Sequence, residues 1–137
     1  MAEPASIFVV DDDPDLRELL GELLAEEGYA ARLVENGRKA LDLLASGVRP
    51  ALILLDLMMP EMNGFEFLDE VRQRDDWRNI PIIVVTARDV TAEDRARLNG
   101  RVESVIQKAG RDDMWRQVTV ALAKCVERQS GEKAAVA

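Results

Sequence analysis

Five short apolar runs alternate along the chain with five stretches of helical periodicity, and this alternation limits the possible folds more than any other feature. The runs at 6–10 and 51–55 are continuously apolar, which is typical of strands buried on both faces. The stretches between the runs repeat apolar residues every three or four positions, as one face of a helix does. This order predicts an α/β fold, a doubly wound parallel sheet with helices on both sides and right-handed crossovers.

The boundaries follow from the same patterns. Strands are predicted at 6–10, 29–34, 51–55, 80–86 and 103–107. Helices are predicted from 15 to a stop at Gly28 and at 37–46, 64–74, 91–98 and 111–128. A chain of 137 residues suggests one domain, which we place at 5–127. The last residues, 128–137, have no pattern, and we expect them to form a flexible C-terminal tail.

Composition excludes several kinds of protein. The chain has no histidine, so histidine catalysis, histidine metal ligands and a phosphohistidine on this chain are ruled out. A net charge of −8 without a dense basic stripe argues against nucleic-acid binding by the chain alone. The single cysteine, Cys125, excludes an internal disulfide and falls at helical spacing, which favours a core position. With no membrane-length apolar stretch and no signal pattern, we expect a cytoplasmic protein.

Polar residues occur where the predicted strands end. Asp11 and Asp12 follow the first strand, Asp56 ends the third, Thr86 ends the fourth and Lys108 follows the fifth. In open parallel sheets the crevice at the carboxyl ends of the strands is the binding site. These side chains are therefore expected to meet at one edge.

The adjacent Asp13 has a different predicted role. It precedes Pro14, and this pair is typical of a helix N-cap followed by proline at the first helical position. Asp11 and Asp12 are not needed for that cap, so we expect them to serve the site.

Clustered carboxylates need a partner. Two of them about 4 Å apart repel by roughly 4 kcal/mol at an effective dielectric of 20, and Lys108 offsets only part of this. Mg²⁺ favours oxygen ligands and commonly takes one or two carboxylates together with a phosphate oxygen. A carboxylate beside such an ion can attack phosphorus and form an aspartyl phosphate.

The chain resembles the receiver domain of bacterial two-component response regulators. The resemblance covers about residues 5–127 and rests on four motifs, "VVDDD", "LLDLMMPEMNG", "IIVVTA" and "VIQK". The spacing also matches, with thirty positions from Asp56 to Thr86 and twenty-two from Thr86 to Lys108. The family's fold is a flavodoxin-like sheet of five strands in the order 2-1-3-4-5, flanked by five helices.

The resemblance implies a role for each site residue. Asp56 is the phosphoacceptor, and Thr86 and Lys108 bond the phosphoryl oxygens. Mg²⁺ is bound by Asp11, Asp12 and Asp56 and by the backbone carbonyl of Met58. The implied partners are a histidine kinase or histidine phosphotransfer protein and a downstream protein on the face of the fourth helix, fifth strand and fifth helix. No membrane partner is implied, and the chain is expected to be a monomer or a weak phosphorylation-dependent dimer.

Two positions depart from the family pattern. The aromatic residue usual three positions before the lysine is Val105, and the proline usual after the lysine is Ala109. A cis bond before a residue other than proline costs about 2.5–4 kcal/mol, so either the Lys108–Ala109 bond is trans or the fold bears that strain. Two further residues, Met58 and Arg88, border the path of the attacking water in this family and are expected to tune the phosphoryl lifetime.

Three classes of function remain open. The first is a stand-alone phosphoacceptor that docks a partner, relays phosphate or acts as a phosphate sink, with only regulatory phosphorylation chemistry rather than enzymatic turnover. The second is a detached or excised receiver of a hybrid histidine kinase, an impression given by "RLNGRVESVIQK". The third is a phosphohydrolase with an aspartyl nucleophile, which Met58 disfavours because it occupies the usual acid/base position.

Overall fold

The computed structural model of the protein describes residues 6–87, 89–108 and 110–136. A single five-stranded parallel sheet forms the centre of this described part. The strands lie in the order β2-β1-β3-β4-β5, which confirms the predicted topology. They are β1 (Ser6–Val10), β2 (Ala30–Val34), β3 (Leu52–Leu55), β4 (Ile82–Thr86) and β5 (Ser104–Gln107). Strand β1 pairs with β2 and β3, and β4 pairs with β3 and β5, so β2 and β5 form the edges.

Helices cover both faces of the sheet and divide the core into two layers. They are α1 (Pro14–Glu26), α2 (Gly37–Ala45), α3 (Gly64–Gln73), α4 (Ala92–Leu98) and α5 (Arg111–Val136). Buried residues of α2, α3 and α4 pack on one face, and those of α1 and α5 pack on the other. Strands β3 and β4 are buried along their whole length because both of their faces are covered.

Helix starts follow the local signals in the sequence. The Asp13 side chain accepts hydrogen bonds from the amides of Asp15 and Leu16, and Pro14 opens α1, as predicted. Thr91 and Asp94 form a capping box at the start of α4. The Asp13 cap thus starts α1 directly after Asp11 and Asp12, which follow β1.

The chain departs from the predicted pattern at its edges and at its end. Strand β2 is largely exposed, because an edge strand is covered less completely than a central one. The predicted end of the last helix at residue 128 was wrong, since α5 continues to Val136. Gly131 disfavours a helix by only about 1 kcal/mol, and the Glu, Lys and Ala residues after it favour one. The flexibility assigned to 128–137 stays a prediction. The predicted core position of Cys125 is confirmed.

Candidate functional site at the carboxyl edge of the sheet

The first side of the site is built by Asp11, directly after β1. Its amide donates to the Val34 carbonyl at 3.1 Å, which extends the pairing of β1 with β2 by one residue. One carboxylate oxygen, Oδ1, accepts from the Asp13 amide at 2.9 Å. The residue is buried, so the fold fixes both its backbone and its carboxylate.

Asp56 forms the opposite side, directly after β3. Its amide donates to the Val10 carbonyl at 3.0 Å, and this bond brings it beside the end of β1. Its Oδ1 accepts from the Met58 amide at 3.2 Å. The residue is 5% exposed, so this aspartate lies at the end of an apolar strand but remains buried.

Lys108 joins the two aspartates. Its Nζ lies 2.8 Å from Asp11 Oδ2 and 3.4 Å from Asp56 Oδ2, and the side chain is 15% exposed. The Lys108 amide donates to the Thr86 carbonyl at 2.9 Å, so the ends of β5 and β4 hold the base of this side chain. Thr86 is fully buried, and its side chain favours the ionised form of the Asp56 carboxylate.

Asp12 completes an acidic cluster. Carboxylate oxygens of Asp11, Asp12 and Asp56 all lie within 4.8 Å of one another. Asp12 is exposed, whereas the other two are buried. Hard oxygen donors at this spacing suit a divalent cation such as Mg²⁺, and among the described residues three carboxylates face one lysine, Lys108, which leaves negative charge for the cation to offset. The donor set therefore fits the metal.

Burial raises the pKa of Asp56 above its ordinary value. The charge of Asp11 raises this pKa further. Lys108, the Met58 amide and the Thr86 hydroxyl act in the opposite direction, because each favours the ionised form. The net effect is upward, so the fold holds the Asp56 carboxylate at a cost in free energy.

Met58 enters the site through its backbone. Its amide donates to Asp56 Oδ1, while the residue as a whole is 54% exposed. The predicted metal-binding role of its carbonyl stays a prediction. Its position beside Asp56 fits the expected influence on access of water to that carboxylate.

Gly64 is a supporting residue whose role the sequence pattern did not reveal. A Cβ atom at this position would lie 2.6 Å from the Asp56 carbonyl oxygen and 2.7 Å from Leu57 Cα. The Gly64 amide also donates to the Leu57 carbonyl at 3.0 Å. The start of α3 therefore packs directly on the backbone that carries Asp56. The signal for it in the sequence is the glycine that ends the "LLDLMMPEMNG" motif.

Arg17 is a second residue that the sequence pattern did not single out. Its guanidinium Nη1 donates to the backbone carbonyl of Asp11 at 2.7 Å. Helical spacing places this residue on α1, but nothing in the sequence indicates that it reaches back to the turn before the helix.

The departures from the family pattern have mixed outcomes. Val105 is partly buried on β5, opposite Val84, and packs against the core between the sheet and α2, α3 and α4. Arg88 and Ala109 lie outside the described residues, so the predictions for the phosphoryl lifetime and for the Lys108–Ala109 bond stay predictions.

Within the described part of the chain, no helix is both long and apolar enough to cross a membrane.

Comparison with known proteins identifies the family. The family model described as the response regulator receiver domain matches residues 7–119. The response regulator MprA of Mycolicibacterium vanbaalenii is 42% identical over 105 residues, which are 77% of this chain but 44% of that protein. The chain thus spans less than half of the length of this curated relative.

Solved structures give the same result. The signal receiver domain of a signal transduction histidine kinase from Syntrophus aciditrophicus is 35% identical, with a TM-score of 0.72 over 90% of this chain and 88% of that one. The response regulator TrrA from Thermotoga maritima, in complex with Mg(2+)-BeF, is 34% identical, with a TM-score of 0.71 over 85% and 98%.

Proposed function

The chain belongs to the response regulator receiver domains of two-component signal transduction, and from this premise we propose that Asp56 accepts a phosphoryl group from a phosphohistidine donor. The observation that supports this best is the buried Asp56 carboxylate, 3.4 Å from Lys108 and within 4.8 Å of two other carboxylates. We further propose that residues 5–127 form the working unit. The family is one of signalling proteins, so this chemistry is regulatory.

The proposed step is a nucleophilic displacement at phosphorus. A carboxylate oxygen of Asp56 forms the new P–O bond, while the P–N bond of the donor breaks and the histidine nitrogen keeps the electron pair. Lys108 offsets charge on the phosphoryl oxygens, and the Thr86 hydroxyl donates a hydrogen bond to one of them. Lys108 already contacts Asp56, and Thr86 already favours its ionised form, which supports a site that needs little rearrangement to meet the incoming group.

Four residues would hold a Mg²⁺ ion in this site. They are Asp11, Asp12 and Asp56, through carboxylate oxygens, and Met58, through its backbone carbonyl. When bound, the ion supplies positive charge that stabilises the transferring phosphoryl oxygens. The donor chemistry supports this assignment, and TrrA, which is similar to this chain, has been solved in complex with Mg(2+)-BeF.

The test of the phosphoacceptor is direct. Incubation with acetyl phosphate and Mg²⁺ is expected to add the mass of one phosphoryl group, detected by intact-mass spectrometry. Asp56→Asn should abolish the addition. Asp13→Asn is the matched control, because the same substitution falls on the residue directly after Asp12, whose side chain caps α1 and is not part of the cluster. Equal modification of Asp56→Asn and the parent protein would overturn the assignment.

The proposed output is a change in the face formed by α4, β5 and α5, which a downstream protein would bind. Thr86 is present to respond to the phosphoryl group, but Val105 is short and stiff and cannot swing between core and solvent as an aromatic ring can. The change must then travel by backbone shifts in the loop after β4 and in β5. We propose that the protein acts in the cytoplasm without binding nucleic acid or membrane itself, as a monomer or weak phosphorylation-dependent dimer.

A second candidate is a receiver that serves a hybrid histidine kinase, in cis or as a phosphate sink. The similarity to the receiver of the Syntrophus aciditrophicus histidine kinase favours it. Phosphotransfer profiling against the histidine kinases of the source organism distinguishes the two. A stand-alone response regulator should be phosphorylated quickly by one separate kinase, whereas a receiver that works in cis should show no such preference.

A further inference from the structure

Every backbone and carboxylate polar group of Asp11 has a partner. The amide bonds Val34, and the two carboxylate oxygens bond the Asp13 amide and Lys108. The carbonyl accepts the 2.7 Å hydrogen bond from Arg17 Nη1. The first residue of the acidic cluster is therefore held from four directions.

Asp12 is held quite differently. Its side chain is exposed, and within the described part of the chain it makes no hydrogen bond or ion pair. Its position therefore depends on the backbone that carries it. The Asp11 carbonyl and the Asp12 amide belong to one planar peptide group, so a hydrogen bond to that carbonyl also fixes where the Asp12 residue begins.

Arg17 lies in a place where a cation is otherwise unfavourable. It is near the amino end of α1, where the helix dipole favours negative charge. A guanidinium there is explained by its hydrogen bond to the Asp11 carbonyl, which it reaches across six positions of the chain. The same bond occupies a carbonyl oxygen that adjoins the carboxylate cluster.

We propose that Arg17 is a positioning residue, which orients the Asp11–Asp12 peptide group and thereby places the Asp12 carboxylate to bind the divalent cation. This inference rests on the proposed function, because it requires the acidic cluster to bind a metal. Groups that orient metal ligands through hydrogen bonds commonly change metal affinity by about 10–100-fold when they are removed.

Charge and position have opposite effects on the measurement. If Arg17 acted only through its charge, its removal would tighten Mg²⁺ binding, because one positive charge near a cation site would be lost. If Arg17 positions Asp12, its removal weakens binding. The sign of the change therefore separates the two explanations.

The experiment compares Mg²⁺ dissociation constants by NMR titration of the parent, Arg17→Met and Arg38→Met. Arg38 is an exposed arginine in the first turn of α2, so its variant has the same change of charge on another helix. We expect Arg17→Met to raise the dissociation constant about tenfold or more. Arg38→Met should leave it unchanged or lower it. Arg17→Gln, also neutral but shorter, replaces Arg17→Met if that variant does not fold.

Two further readouts test the route of the effect. In metal-free protein, the Asp12 amide resonance should shift in Arg17→Met and stay in place in Arg38→Met. In an Asp12→Asn background, Arg17→Met should cause little additional loss of Mg²⁺ affinity, because the ligand that it positions is already impaired. An equal loss in both backgrounds would overturn the proposed route.

The outcomes also separate this inference from the proposed function. Unchanged or tighter Mg²⁺ binding by Arg17→Met, with a parent that binds normally, overturns the role of Arg17 and leaves the metal site intact. A parent with no Mg²⁺ response overturns the metal site itself, and the role of Arg17 with it.

Discussion

Replacement of Asp56 by asparagine should stabilise the metal-free protein, although it removes half of an ion-pair network. At an effective dielectric of 20, attraction to Lys108 at 3.4 Å amounts to about 5 kcal/mol. Repulsion from Asp11, within 4.8 Å, is about 3.5 kcal/mol at the same dielectric. Asp12 is exposed, so its effective dielectric is close to that of water, and its repulsion adds only about 1 kcal/mol. These terms nearly cancel, so the cost of burying the charge decides the balance.

Asparagine keeps the shape and removes the buried charge. Its side-chain oxygen can still accept from the Met58 amide, and Lys108 keeps its 2.8 Å contact with Asp11. We therefore expect the unfolding free energy in EDTA at pH 7 to rise by on the order of 1–2 kcal/mol. For a domain of this size that corresponds to roughly 3–8 °C in Tm.

The pH dependence of the unfolding free energy shows whether the buried charge of Asp56 destabilises the fold. The pKa of Asp56 is raised in the fold, so below the ordinary value of 3.8 the carboxyl is protonated in both the folded and the unfolded states. As pH rises through the window between 3.8 and the folded pKa, the unfolded state ionises first and the parent loses stability. The advantage of Asp56→Asn should thus be absent well below pH 3.8 and complete only above the folded pKa.

The assay is chemical or thermal denaturation in EDTA across this pH range, with Glu22→Gln as the control. Glu22 is exposed on α1, so its variant removes one negative charge without altering the cluster. A lower or unchanged unfolding free energy of Asp56→Asn at pH 7 would refute the reasoning, because it would mean that the ion pair with Lys108 outweighs burial.

Three further predictions follow from the same geometry. At ten times its dissociation constant, Mg²⁺ should stabilise the parent by roughly 1.4 kcal/mol. Asp12→Asn should raise the metal-free Tm and reduce this response, and thermal melts with an undiminished response would argue against Asp12 as a ligand. Gly64→Ala should lower the unfolding free energy by about 1–3 kcal/mol, because its Cβ would lie 2.6 Å from a backbone oxygen. The control Gly21→Ala should not lower it, because its Cβ would meet only the flexible side chain of Leu33. Beryllofluoride should shift amide resonances at 87–91 and 101–109, and shifts confined to α1 and α2 would contradict the proposed output face.

Much of the fold could be predicted because its signals are local. Buried central strands such as β3 consist of continuous apolar residues, which the sequence shows directly. The Asp13–Pro14 pair marks the start of α1 within two residues. The meeting of Asp11, Asp56 and Lys108 was also predictable, because parallel strands deliver their carboxyl ends to one edge. These inferences need only the order of the elements.

What could not be predicted depends on close approach between segments. In the turn before α3 the left-handed backbone lies at Glu61, with φ of 65°, and not at Gly64. Gly64 is required instead by contact with the backbone of Asp56 and Leu57, which no sequence periodicity encodes. The reach of Arg17 to the Asp11 carbonyl is of the same kind, since a helical pattern gives a face but not the path of a long side chain.

The contacts of Lys108 suggest how a change at Asp56 could spread. Its ammonium bonds Asp11 at 2.8 Å and Asp56 at 3.4 Å, so the bond to the rigidly held Asp11 is the shorter one. If Asp56 is phosphorylated, the ammonium can turn toward the phosphoryl oxygens without losing Asp11. The Lys108 backbone amide is bonded to the Thr86 carbonyl, and the Thr86 side chain favours the ionised form of Asp56. One chemical event therefore acts at the carboxyl ends of both β4 and β5, which provides a route to the outer face that needs no aromatic residue at position 105.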